Sequence, residues 1–149
     1  MKNQIKPTKM DYSFDGLPAY WFHQDPFMTH FVTALSALFP AGEKFFIDAV
    51  RHFRHVATDD FEQKNISGFI GQEAFHTLQH ESLNDTITKN GFPIDELDKL
   101  TWKSLAFVRK ITTKKQQLAI TVGLEHITAI LAKMILEDDN LKNEFHEAA

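Results

Sequence analysis

One long segment of the sequence, from Phe61 to about Lys89, contains no proline and predicts a single uninterrupted helix. Thr58 is placed to cap its N-terminus, and the acidic pair Asp59-Asp60 suits the positive end of the helix dipole. Asn90-Gly91 provides a left-handed stop, with Pro93 just beyond it. A helix of this length indicates a helical protein.

Helical spacing of apolar residues predicts further helices on both sides of this segment. One runs from Asp25-Pro26 to Pro40, and another from about Glu43 into the fifties, because Pro40-Ala41-Gly42 should interrupt the chain. Two more cover about 95–110 and about 112–137. No alternating strand pattern of convincing length is present, so we expect an all-α fold.

Length and composition indicate one domain. The 149 residues, 43% of them hydrophobic, are enough for one core, and residues 1–20 should form an irregular lead-in that ends with Tyr20-Trp21-Phe22 on that core. The net charge of -4 gives no general attraction to nucleic acid or to an anionic membrane. No stretch approaches the roughly 20 apolar residues that cross a bilayer, and the N-terminus lacks the apolar part of a signal peptide. We therefore expect a cytoplasmic protein without nucleic-acid or membrane partners.

The absence of cysteine limits the chemistry that this chain can perform. Disulfides, thiolate metal sites and cysteine nucleophiles are excluded, so any metal has to be held by imidazole and carboxylate groups. Those ligands favour iron, manganese or zinc. The serines lie inside predicted helices without a nucleophile-elbow motif, which gives a Ser-His-Asp hydrolase little support.

The middle of the longest predicted helix carries Glu73 and His76, with His80 one turn further and Asn84 one turn beyond that. Residues three and four apart are neighbours on a helix, so a carboxylate and an imidazole at this spacing can reach one cation. A lone Glu-x-x-His also arises by chance as a solvated surface pair. His80 would be a ligand, a partner that orients a carboxylate, or polar lining.

Single glutamates at matching places in two other helices strengthen the metal interpretation. Glu43 and Glu125 lie among apolar neighbours, where an uncompensated charge costs on the order of several kcal/mol. Two-metal sites in four-helix bundles take one Glu from each of two helices and a Glu-x-x-His from each of the other two. Glu43, the Glu73 to His76 pair and Glu125 correspond to the first three of these four contributions.

Two alternatives compete with this interpretation. Glu125 could form an ion pair with Arg51 or Arg54. Glu43 could be the first residue of its helix, where a negative charge complements the helix dipole.

Three blocks of the sequence resemble the family of predicted metal-dependent hydrolases, over roughly Trp21 to Asp138. The blocks are residues 39–46 (FPAGEKFF) with Val50-Arg51, residues 69–76 (FIGQEAFH) with His80 and Asn84, and residues 123–126 (GLEH) with Thr128. The resemblance implies a ferritin-like helical bundle with a metal centre. We expect a divalent metal, with iron favoured over zinc or manganese, and the ligands Glu43, Glu73, His76, His80 and Glu125.

The sequence departs from the family pattern at its C-terminus. Proteins of that family continue with a helix that carries a Trp-His pair and a further Glu-x-x-His, whereas this sequence ends with FHEAA at 145–149 after a last turn near Asn140. We therefore expect an incomplete bundle that lacks its fourth core helix. Such a bundle would expose an apolar stripe, which favours a homodimer.

Three functions are compatible with these residues. The first is a metal-dependent hydrolase of a small-molecule substrate, in which the metal activates water. The second is a di-iron oxidase or oxygenase, which uses a similar ligand arrangement. The third is a metal-free helical interaction domain, in which the same residues are paired or solvated.

Overall fold

The computed structural model describes residues 3–22 and 24–137, most of which lie in α-helices. Helix α1 spans Pro26–His52, α2 Asp60–Lys89, α3 Ile94–Ile111 and α4 Lys114–Glu137, and a 3-10 turn, Arg54–Val56, follows α1. These two ranges contain no strand, so the all-α class is confirmed. The turn predicted near Asn140 and the segment 145–149 lie outside the described residues.

Helix α1 is the centre of the fold, because it packs against α2, α3 and α4, whereas α2 and α4 have very little contact with each other. The main buried cluster joins the end of the lead-in to α1, α2 and α3; its members are Leu17, Trp21, Phe22, Ala37, Ile87 and Ile94. Trp21 and Phe22 are buried as predicted, while Tyr20 is exposed. Because α2 and α4 are separated, a gap remains between them that α1 closes on one side. The candidate site lies in this gap.

The break that we predicted at Pro40 is wrong, since this proline lies inside the continuous helix α1. An interior proline cannot donate to the carbonyl four residues earlier and costs about 3 kcal/mol. The carbonyl concerned is that of Ser36, and the side-chain nitrogen of Asn84 in α2 donates to it instead, at 3.2 Å. The continuous helix places Glu43 in its interior, so the helix-start alternative for Glu43 is also wrong.

The N-terminus of α2 differs from the prediction by one residue. Asp59 is the cap, and its carboxylate accepts a hydrogen bond from the backbone N–H of Glu62 at 2.7 Å. Thr58 precedes the cap, so its hydroxyl is one position too early for this role. The other end of α2 is as predicted, with Gly91 in the left-handed region at φ 93°.

The N-terminal lead-in runs along the outer side of α2. The backbone N–H of Ile5 donates to Asn65 Oδ1 and that of Thr8 donates to Gln72 Oε1, both at 2.9 Å. A side chain at Gly68 would clash with the Ile5 carbonyl oxygen. The small residue in α2 therefore accommodates an extended segment.

By length and composition alone, helix α4 is long and apolar enough to cross a membrane. Our prediction that no stretch of the chain approaches this length is therefore wrong. Its most apolar 18-residue window has a mean hydropathy of 1.6 and is 6% buried. We did not recognise this apolar segment in the sequence because the charged residues Glu125 and Lys133 interrupt it. Core helices of soluble proteins reach the same length and hydropathy, although they are mostly buried, and a single helix of this kind is weak evidence for a membrane.

One side of α4 carries four exposed apolar residues at alternating spacings of three and four. We call this set the outer stripe of α4; its members are Leu124, Ile127, Leu131 and Met134. The spacing is that of a seam between two packed helices. None of the four lines the cavity described below.

We expect copies of this chain to associate through the outer stripe, because burying the part of each side chain that is still exposed contributes on the order of 1 kcal/mol. Replacing both Ile127 and Met134 with glutamate should turn the associated species into monomer in sedimentation velocity. Val122→Glu is the matched control, since Val122 lies on another side of α4 and all three residues are 62% exposed. A monomeric wild type that floats with lipid vesicles would contradict self-association and favour a membrane.

Candidate metal centre

Three helices place the five predicted ligands around one cavity of about 340 Å³. Helix α1 contributes Glu43, α2 contributes Glu73, His76 and His80, and α4 contributes Glu125. The aromatic and small residues that complete the wall are Phe39, Phe46, Thr128, Ala129 and Ala132. The helical spacing within α2 explains why its three polar side chains share this side.

Glu43, Glu73 and His76 form the tightest group. One ligand atom from each lies within 4.8 Å of the other two, and the carboxylate residues are only 2% and 6% exposed. His76 Nδ1 lies 3.9 Å from Glu73 Oε1. Ligands of one ion at metal distances of about 2.0–2.2 Å are at most roughly 4.4 Å apart. At up to 4.8 Å the three atoms are slightly farther apart than the ligands of one ion, so they would have to move closer together to share one.

Thr77 holds one oxygen of Glu43 and leaves the other free. Its hydroxyl lies 2.9 Å from the Glu73 carbonyl oxygen and donates to Glu43 Oε2 at 2.7 Å. Glu43 Oε1 lies 3.9 Å from His80 Nε2. Our sequence reasoning missed Thr77, although its position one turn after Glu73 could have indicated it.

His80 is held firmly from two directions. Its Nδ1 lies 3.0 Å from the Ser36 hydroxyl of α1, and its ring stacks on Phe39 with the ring centres 4.4 Å apart. We did not predict Ser36 as part of the site because the predicted break at Pro40 placed it in a different helix from Glu43. In a continuous α1 the two residues are seven apart and therefore share one side of the helix.

His76 contacts a polar residue outside the cavity. Gln72 Nε2 lies 2.8 Å from His76 Nε2, and Gln72 Oε1 accepts the backbone N–H of Thr8. Because that backbone group can only donate, the amide nitrogen of Gln72 is the atom that faces His76. His76 accordingly turns its Nδ1 toward Glu73.

Burial dominates the electrostatics of the site. It raises the pKa of Glu43 to about 8 and that of Glu73 to about 7, and the charge of Glu125 contributes to both shifts. It also raises the pKa of Glu125 itself. Burial lowers the pKa of His80 to about 4 and lowers that of His76. Near neutral pH, uncompensated negative charge is therefore disfavoured here, and both imidazoles are neutral. His76 can bind a metal through Nδ1 only if its proton moves from there to Nε2, which requires the Gln72 amide nitrogen to move away from Nε2.

The alternative partners proposed for Glu125 are engaged elsewhere. Arg54 donates to Gln63 and Ser67, and Arg51 lies 3.7 Å from Asp48. Within the part of the chain that the structure describes, Glu125 forms no ion pair. The ion-pair alternative is therefore wrong for these residues.

The donor set fits a divalent metal. Oxygen and nitrogen donors without thiolate are the ligands that iron, manganese and zinc accept. Buried carboxylates are costly unless a positive charge is near. Among residues 3–22 and 24–137, neither Glu43 nor Glu73 has a lysine or arginine partner, and a bound cation would provide the missing charge.

The comparisons with known proteins agree with this chemistry. A family model described as predicted metal-dependent hydrolase matches residues 6–149, which is wider than the span of Trp21 to Asp138 that carried the resemblance. No curated protein and no solved structure matches the chain significantly. Since the family model covers nearly the whole sequence, this chain belongs to the family of predicted metal-dependent hydrolases.

Proposed function

We propose that the protein binds a divalent metal between α1, α2 and α4 and uses it to hydrolyse a small molecule. The observation that carries this proposal is the convergence of Glu43, Glu73 and His76 within 4.8 Å in a chain of this family. We assign these three as the primary ligands. His80 and Glu125 would complete the coordination, because both line the same cavity.

A divalent metal at this position would lower the pKa of a bound water and polarise the bond to be cleaved. The residues of the chain set the surroundings for that chemistry. Thr77 fixes one oxygen of Glu43, so that the other stays directed into the cavity. Phe39 and Phe46 line the cavity and give it an apolar wall. The proposed substrate therefore carries an apolar portion beside its hydrolysable group.

We propose further that the arrangement is ferritin-like. A glutamate from α1, a Glu-x-x-His from α2 and a glutamate from α4 follow the order of carboxylate-bridged metal sites in helical bundles. The gap between α2 and α4 is the side from which a further set of ligands would approach. This order supports the ferritin-like assignment and favours iron as the metal.

A redox function is the second candidate. The observation that favours it is the number of carboxylates, since Glu43, Glu73 and Glu125 all line the cavity, and carboxylate-rich sites in bundles hold paired iron ions. Iron-loaded protein with a near-ultraviolet band that bleaches on reduction would support this candidate. Zinc-loaded, colourless protein that turns over esters or phosphoesters would support hydrolysis.

The first test is the metal content of untagged protein, measured by inductively coupled plasma mass spectrometry. We expect stoichiometric metal in the wild type and a loss of at least tenfold in Glu73→Ala and His76→Ala. His126→Ala is the matched control, because His126 adjoins Glu125 but is exposed and does not line the cavity. Equal metal in all four proteins would place the metal elsewhere.

A further inference from the structure

A proline in α1 starts a chain of hydrogen bonds that ends at the candidate metal centre. Pro40 has no N–H, so the Ser36 carbonyl lacks its usual helical donor. The Asn84 side chain approaches this carbonyl at 3.2 Å. A carbonyl oxygen can only accept a hydrogen bond, so the atom facing it has to be the amide nitrogen of Asn84. The orientation of the Asn84 amide is thereby fixed.

The same amide determines where the Ser36 hydroxyl hydrogen lies. With its nitrogen on the carbonyl, Asn84 presents Oδ1 to Ser36 Oγ at 2.8 Å. An amide oxygen is only an acceptor, so the single hydroxyl hydrogen of Ser36 points to Asn84. Ser36 and Asn84 are 3% and 7% exposed, which keeps water from replacing either partner.

Ser36 in turn determines which nitrogen of His80 carries the proton. Ser36 Oγ lies 3.0 Å from His80 Nδ1 and has already given its hydrogen to Asn84. It can therefore only accept from His80, which requires the proton on Nδ1. In a neutral imidazole the other nitrogen, Nε2, then bears a free lone pair.

That lone pair faces the candidate site, since Nε2 lies 3.9 Å from Glu43 Oε1 and His80 lines the cavity. Stacking on Phe39 holds the plane of the ring. We propose that Ser36 and Asn84 are positioning residues that lock His80 in the Nδ1–H tautomer and so make Nε2 a metal ligand. The opposite tautomer would present an N–H to the metal and could not bind it.

This proposal rests on the proposed metal-binding function, but the tautomer can be read in metal-free protein. The experiment is a long-range ¹H–¹⁵N correlation spectrum of protein labelled with ¹⁵N-histidine and stripped with EDTA, with the His80 signals assigned from His80→Gln. We expect a protonated Nδ1 and an unprotonated Nε2. A protonated Nε2 in the wild type would overturn the proposal.

Two variants test the positioning role. In Ser36→Ala the Nδ1 proton loses its acceptor, and in Asn84→Ala the Ser36 hydroxyl is free to donate to Nδ1, so both should populate the Nε2–H tautomer. Zinc affinity, measured by competition with a chromogenic chelator, should fall about 10- to 100-fold in both. Ser82→Ala is the control, since Ser82 is exposed on the same helix as Asn84.

These experiments distinguish failure of the positioning role from failure of the proposed metal binding. Circular dichroism first establishes that each variant is folded. Unchanged tautomer and zinc affinity in a folded Ser36→Ala would overturn the positioning role while leaving the metal site intact. A wild type that has the expected tautomer but takes up no zinc would instead contradict the proposed function and, with it, the ligand role of His80.

Discussion

Saturating metal should raise the midpoint of thermal unfolding of the wild-type protein by roughly 8–16 °C. A ligand that binds only the folded state at about 1,000 times its dissociation constant stabilises that state by about 4 kcal/mol. For a chain of about this size each kcal/mol corresponds to roughly 2–4 °C. Differential scanning calorimetry with zinc, manganese or anaerobic ferrous iron, each compared with EDTA-treated protein, measures the shift.

The variants show whether this stabilisation comes from the assigned ligands. Glu73→Ala and His76→Ala should lose the shift, because each removes a member of the tightest group. Glu125→Gln should retain part of it, since Glu125 lines the cavity but lies outside that group. His126→Ala should behave like the wild type. A wild type whose midpoint does not respond to any of these metals would favour the metal-free interaction domain.

Metal-free protein should lose stability as the pH rises from 6.5 to 8.5. The folded-state pKa is about 8 for Glu43 and about 7 for Glu73, against 4.5 for the same group without burial. Between those values the folded state binds more protons than the unfolded state, so the free energy of unfolding falls as pH increases. The expected decline is on the order of 2–3 kcal/mol over this window.

The window is chosen so that histidine does not mask the effect. The pKa of His80 is lowered from 6.5 to about 4, so its contribution to stability is lost only as pH falls below 6.5. Urea unfolding in EDTA at pH 6.5, 7.5 and 8.5 measures the decline. Glu43→Gln cannot ionise and should remove more than half of it, whereas Glu96→Gln, on the exposed side of α3, should not. A Glu43→Gln protein with the full decline would show that Glu43 is not its source.

Most of the helices, and the shared side of the candidate ligands in α2, could be predicted from the sequence because both depend on short-range spacing. Asn90-Gly91 ended α2 as expected, since the left-handed turn needs only the local chain. Glu73, His76 and His80 share one side of α2 because a helix brings residues three and four apart together. Any chain that forms this helix has to place the three side chains there.

Features that depend on distant residues could not be predicted in the same way. The break at Pro40 follows from a sound local rule, and it fails because Asn84, 44 residues along the chain, replaces the missing donor to Ser36. The path of the lead-in over Gly68 likewise depends on contacts between remote segments. The spacing of residues within a short segment does not indicate which distant residues will contact it.

The docking of the lead-in on α2 has a consequence for how this protein should be produced. The Thr8 backbone holds the oxygen of the Gln72 amide, and this anchor keeps the Gln72 nitrogen against His76. A version of the chain shortened to begin after Thr8 would release the amide, which could then turn over and change the hydrogen-bonding state of His76. Trimming the first residues to aid crystallisation would therefore alter a candidate metal ligand without touching the cavity.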